Sequence, residues 1–244
     1  MEILMIRVNR KITGDLGSYI NYRYGVDMTD TDSIPQELTT ALINMQYWID
    51  EVLLAKYFAN NESAETEGTY WTQQLEFDSR QTGKKLQERL ESMPDAQILD
   101  VGCGANDFKK LLGDRVYGID PYHDGADEQV GIMQFKPTQD AWDVVMCLGS
   151  INFGDEQTIK SQVSRVVKWV KPGGLIFWRC NPGITHDNTH AEWIDFYDWS
   201  HEQMNEWAEE FGFEVVESGW DHQEEKDTIR WGNRLYQEWR RKDA

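Results

Sequence analysis

The chain has 244 residues, with 43 acidic against 24 basic side chains and a formal net charge of −19. Such a surface repels phosphate backbones and disfavours a broad grip on nucleic acid. An apolar share of 40%, with 12% aromatics and eleven tryptophans, allows one sizeable α/β core plus a smaller attachment, and no apolar run approaches the roughly 18–20 residues a membrane span needs.

Two regions separate near Pro94. In the first, Ser33-Ile34-Pro35-Gln36 opens a helix: Ser33 caps, Gln36 stands at the capping-box position, and the proline falls in the first turn. Leu38, Leu42, Met45, Ile49, Val52 and Leu53 follow on one face. The polar stretch from Asn60 to Gly68 reads as a loop, and a second helix is expected over Ser79 to Ser92, ending before Pro94. Residues 1–95 are thus expected to be a helical and irregular extension, and 96–244 the main domain.

From Gln97 strands and helices alternate. Ile98 to Val101 is a first strand, and a short helix covers about Asp107 to Leu112, with Gly113 as its stop. Val116 to Ile119 is a second strand and Gln129 to Ile132 a brief third. Trp142 to Met146 is the fourth and Leu175 to Trp178 the fifth. Between these last two, Ile159, Val163, Val166, Val167 and Val170 share one helical face, which Lys171-Pro172-Gly173-Gly174 ends. Ser200-His201-Glu202-Gln203 is another capping box, before a helix with Met204, Trp207 and Phe211 on one face and Gly212 as its stop. Phe213 to Val216 and Arg234 to Trp239 complete seven strands. Alternation of this kind implies right-handed crossovers and a doubly wound, Rossmann-like α/β sheet, mostly parallel and covered on both faces.

In such sheets ligands bind beyond the carboxyl ends of the strands, where the winding reverses. Gly102 and Gly104 let backbone approach a ligand closely there. Asp120 ends the second strand, 20 residues after Asp100, the spacing at which an acid accepts ribose hydroxyls. A dinucleotide site needs a third glycine three residues after the second, and Asp107 stands there instead. Its carboxylate would repel a pyrophosphate at the helix start. A ligand with ribose and adenine but no phosphate escapes that repulsion, and S-adenosylmethionine is one.

The run Ile98-Leu99-Asp100-Val101-Gly102-Cys103-Gly104 resembles the first motif of class I S-adenosylmethionine-dependent methyltransferases. Gly118-Ile119-Asp120 is similar to their second, Asp143 to Gly149 to their fourth, and Lys171 to Leu175 to the turn before their fifth strand. A looser likeness, including Asn181-Pro182-Gly183, extends to methyltransferase-like proteins of tailed phages. The resemblance implies a seven-stranded sheet with the last strand antiparallel. It places Asp100 and the turn Gly102-Cys103-Gly104 near the methionine moiety, Asp120 on the ribose, and Leu148-Gly149 beside the reactive end. Only Pro121 to Glu128 separates the second and third strands, too little for the family's usual helix, and no acid follows the third. Met133 is the candidate to lie against adenine, with core packing as its other reading.

The acceptor side is expected to include Asn152 and, in the polar loop after the fifth strand, His186 as a general base. His186, Asp187 and His190 do not form a helical ligand set, no second cluster completes a shell, and no metal is expected. Cys147 and Cys180 lie where cytosine-directed enzymes carry thiols, but lack those enzymes' preceding proline or threonine. The three cysteines, an odd number, point instead to reduced thiols in a reducing compartment, and Met1-Glu2 lacks the basic start of an export signal. The expectation is a cytoplasmic methyltransferase acting on a small molecule or protein, with an inactive binding or scaffolding protein as the alternative.

Overall fold

The computed structural model describes residues 81–137, 141–182, 196–221 and 233–243, all within one compact unit. The early helix from Ser33, the loop at 60–68 and His186 lie outside the described residues. Among those described, six strands form one sheet: β1 Ile98–Val101, β2 Val116–Ile119, β3 Trp142–Leu148, β4 Val170–Cys180, β5 Phe213–Trp220 and β6 Leu235–Arg241, in the order β2-β1-β3-β4-β6-β5. The first four are parallel, and β6 runs antiparallel between β4 and β5, as the methyltransferase resemblance implies of the last strand. β1 and β3 read as near-continuous apolar runs because a parallel sheet is buried on both faces.

Apolar side chains divide across the sheet. One face takes Leu99, Val145, Ile176, Trp178 and Trp239 against helix α3, Glu156–Val166, and helix α4, His201–Glu210. The other takes Ile98, Val144, Met146 and Phe177 against helix α1, Lys84–Glu91, and helix α2, Asp107–Leu112. Two helix caps form: the Asp155 carboxylate accepts the Thr158 N–H at 2.9 Å, and the Ser200 hydroxyl accepts that of Gln203 at 3.1 Å. The former was not anticipated as a cap; the latter was. The rings of Trp178 and Trp239 lie 4.9 Å apart in the first layer, so the tryptophans fill the core.

Three expectations need correction. The segment Gln129 to Ile132 is not a strand: one parallel bridge, Ile119 to Glu128, is followed by a turn in which Gln134 and Phe135 donate to the Gly131 carbonyl. Val130 and Ile132 pack their side chains on the core without pairing backbone, which accounts for their strand-like apolarity. Val170 begins β4 instead of ending a helical face, because α3 stops at Val166 and a tight turn, Val167–Trp169, follows. Lys171 to Gly174 then bulges out within β4, since Trp142 pairs with Val170 but Val144 with Leu175. Helix α1 starts at Lys84, not Ser79, because the N–H groups of Gln81 and Thr82 are drawn to Asp221.

That last contact belongs to a buried cluster. Asp221 Oδ2 accepts Arg179 Nε at 3.1 Å, while Oδ1 accepts the N–H and hydroxyl of Thr82 at 2.9 and 2.8 Å. Asp221 and Arg179 are both buried, so removing one partner strands a charge in low dielectric. Arg179→Met should destabilise the fold by on the order of 3 kcal/mol, with Arg179→Met/Asp221→Asn losing less than the single change; urea unfolding of both checks this.

Candidate functional site

Strands β2 and β3 lie on opposite sides of β1, so the winding reverses at the carboxyl end of β1. The turn there begins at Gly102, φ +73°, and includes Gly104, φ +53°. It folds onto β2: the N–H groups of Gly102 and Cys103 both donate to the Ile119 carbonyl, at 2.7 and 3.1 Å. Asp120 completes the closure. Its Oδ2 accepts the Gly104 N–H at 3.0 Å, and its Oδ1 accepts those of Tyr122 and His123 at 2.8 and 3.0 Å. A carboxylate offers roughly four lone-pair positions, so about one remains, on Oδ2. Asp120 can therefore take one ribose hydroxyl without surrendering a backbone bond, not the pair.

A second carboxylate, Asp127, was missed in the sequence. Its Oδ2 accepts the Gly118 N–H at 2.8 Å and Asn106 Nδ2 at 3.2 Å, and Lys109 Nζ donates to its Oδ1. Burial pushes the Asp127 carboxyl up, but these hydrogen bonds outweigh it and hold the group below its ordinary value. Asn106, in the left-handed region at φ 58°, directly precedes α2 without a side-chain cap bond, and its buried Oδ1 has no hydrogen-bond partner. A Cβ at Gly118 would fall 2.5 Å from that oxygen and 2.7 Å from the Cys103 sulfur. The Cys103 thiol thus faces β2, while its N–H and carbonyl are engaged by Ile119 and by the Asn106 N–H. The signal for Asn106 was present, an Asx residue directly before a helix; nothing local marks Asp127.

Asp100 has the opposite surroundings. It is 4% exposed, and no described donor reaches its carboxyl. Burial first, then the negative charges of Asp120 and Asp107, push its pKa up to about 7. A pyrophosphate at this turn would meet the negative charges of Asp120 and Asp107, which opposes dinucleotide binding.

The loop after β3 meets the turn from the other side. Leu148 is buried at the strand end, Gly149 has φ 107°, and Ser150 packs on Gly102. Asn152 is buried, with its Nδ2 donating to the Gly149 carbonyl at 2.8 Å and its Oδ1 accepting the Asn181 N–H at 2.9 Å. Its carbonyl accepts the Tyr197 N–H at 2.8 Å, so Asn152 ties three segments together. Met133 is 48% exposed on the turn after Gly131, which lies against Pro121 and is pinned by Arg165 through the carbonyls of Ile132 and Phe135. All three cysteines are free and buried. Burial pushes each thiol up, outweighing Arg179 at Cys180, so none is poised as a thiolate nucleophile.

No protein-family model and no curated protein sequence is similar to this chain. Solved structures are. A 1,6-didemethyltoxoflavin-N1-methyltransferase from Burkholderia thailandensis, with bound 1,6-didemethyltoxoflavin and S-adenosylhomocysteine, aligns over 79% of this chain and 89% of its own, at 13% identity and a TM-score of 0.57. Magnesium protoporphyrin IX methyltransferase from Synechocystis PCC 6803, with bound S-adenosylmethionine, aligns over 79% and 97%, at 13% identity and 0.54. A S-adenosylmethionine-dependent methyltransferase from Clostridium acetobutylicum aligns over 78% and 98%, at 11% and 0.50. At such identities the likeness is one of fold: the chain has the Rossmann-like fold of these methyltransferases.

Two stability outcomes test the turn. Gly102→Ala places a Cβ 2.4 Å from Ser150 Cβ at a positive φ; the cost should be on the order of 1–3 kcal/mol, partly recovered by Ser150→Gly in urea unfolding. Asp100 is more protonated folded than unfolded between its ordinary value of 3.8 and about 7, so its contribution to stability falls as pH rises through that window. Asp100→Asn, a neutral isostere, should gain on the parent by about 2 kcal/mol from near pH 5.5 to near pH 8, read from thermal or urea unfolding at each pH.

Proposed function

We propose that the chain is an S-adenosylmethionine-dependent methyltransferase whose acceptor is a small molecule or a protein side chain. The observation that carries this reading is the glycine turn at the switch point, lined by Asp100, Asp107 and Asp120, with one acceptor position left on Asp120. It suits a phosphate-free nucleoside with positive charge. The fold supports the reading, because structures that share it hold S-adenosylmethionine or S-adenosylhomocysteine. Two of those enzymes act on small heterocyclic molecules by name, which favours a small acceptor here.

When bound, the cofactor supplies an electrophilic methyl on a sulfonium. The chain's own part is alignment and exclusion of water. In this reading the turn Gly102 to Gly104 borders the methionine moiety, Asp120 takes a ribose hydroxyl, and Met133 offers an exposed side chain to adenine. Leu148 and Gly149 flank the reactive end. Asn152 holds the loop beyond them, and His186 would receive a proton from an acceptor that arrives protonated. In the same reading residues 96–244 form the catalytic domain and 1–95 an extension.

The scaffold alternative draws on Asp120, which is already engaged by three N–H groups, and on the missing third strand. Calorimetry separates the readings. S-adenosylmethionine should bind and NAD should not. Asp120→Ala should weaken the cofactor by at least roughly tenfold, because a hydrogen bond to a charged group contributes about 1.5–3 kcal/mol. It should also lower the unfolding temperature, since three backbone donors lose their acceptor. NAD binding more tightly, or unchanged affinity in folded Asp120→Ala, would overturn the assignment.

A further inference from the structure

We propose that a cationic ligand entering the glycine turn expels a proton from Asp100, so that occupancy of this site is coupled to pH. The inference rests on the reading of the turn as the cofactor site and adds a property to it.

The geometry is a contrast between two carboxyl groups of one turn. Asp127 is surrounded by donors, from Gly118, Asn106 and Lys109. Asp100, more than nine-tenths buried, has none among the described residues. The charged groups that face it are both negative: Asp120 from the end of β2 and Asp107 from the first turn of α2. Neither can be displaced cheaply, since Asp120 holds three N–H groups and Asp107 is paired with Lys110 Nζ at 2.7 Å. From the turn itself and from β3, Cys103 and Cys147 lie within electrostatic reach, and both thiols are neutral. No described cation acts on Asp100.

A buried carboxyl in that company stays protonated near neutrality, in keeping with its value of about 7. The missing element is a positive charge, and a ligand with a sulfonium or ammonium brings one. An opposite charge within roughly 4–6 Å lowers a carboxyl pKa by roughly 1–3, which empties Asp100 of its proton near pH 7. The proton leaves to solvent, and the carboxylate stays as counter-ion to the ligand. Binding should therefore release part of a proton near pH 7 and weaken as the pH falls below it, by at most about tenfold per pH unit. A neutral nucleoside thioether should release none.

Calorimetry of the full chain, near pH 7 in two buffers of different ionisation heat, reads the proton count directly. The ligands are S-adenosylmethionine and 5′-methylthioadenosine, which keeps the nucleoside and sulfur but carries no cation. The expected result is a larger proton release with S-adenosylmethionine by the parent than by Asp100→Asn, and none with methylthioadenosine. The comparison with the variant subtracts titration of the cofactor's own amine. Equal proton counts in parent and variant, or affinity unchanged from about pH 6 to about pH 8, would overturn the proposal. Should Asp100→Asn not fold, the parent's pH profile and the methylthioadenosine comparison decide alone. S-adenosylmethionine binding without pH dependence removes this inference and leaves the methyltransferase reading; no binding at all removes both.

Discussion

Asp120 accepts the N–H of Gly104 together with those of Tyr122 and His123, and so closes the turn after β1 against the end of β2. Much else at the carboxyl edge of the sheet follows from that closure. With Gly104 held, Asn106 falls over Gly118, where no other residue type would leave room for its oxygen and the Cys103 sulfur. With Asn106 held, Asp127 can bind its amide and the Gly118 N–H at once, which anchors the residues that would otherwise continue as a third strand. A carboxylate that accepts several backbone donors fixes main-chain geometry more firmly than apolar contact does, because each lost bond leaves a donor unsatisfied.

The far side of the edge is organised by an amide. Asn152 spends its donor on Gly149, its acceptor on Asn181 and its carbonyl on Tyr197. The aromatic cluster beneath it, where Trp199 Nε1 donates to the Ile151 carbonyl at 2.8 Å, gives that loop a rigid floor. The candidate site thus lies between a carboxylate-closed turn and an amide-closed loop, in contact through Gly102 and Ser150.

What the sequence disclosed and what it hid have different physical origins. The strands β1, β2 and β3, helix α2 with its Gly113 stop, and the Ser200 cap were legible because each is local: an apolar run, a glycine after the last turn, a hydroxyl three residues before its donor. The strand expected at Gln129 to Ile132 failed because apolarity reports burial of side chains and not pairing of backbone. Val170 kept helical spacing through the tight turn before β4, so periodicity alone could not divide helix from strand there. Asp127 and the Arg179–Asp221 pair were invisible because their partners are distant in the chain. At the site, Gly102, Gly104 and Asp120 fell where the spacing had put them. That Asp120 would have one acceptor position left instead of two depended on its own turn, which spacing does not describe.

The place of β6 has a consequence for how the chain reaches this structure. Strands β4 and β5 do not touch each other; each is bonded only to β6 on that side, and β6 comes last of the six. Strand β4 can register on β3, but β5 cannot join the sheet until the final strand links it to β4. Such an arrangement raises contact order and slows folding. Until it is complete, β4 presents an open, apolar edge of the kind that pairs with other chains. The net charge of −19 opposes such pairing by mutual repulsion between chains.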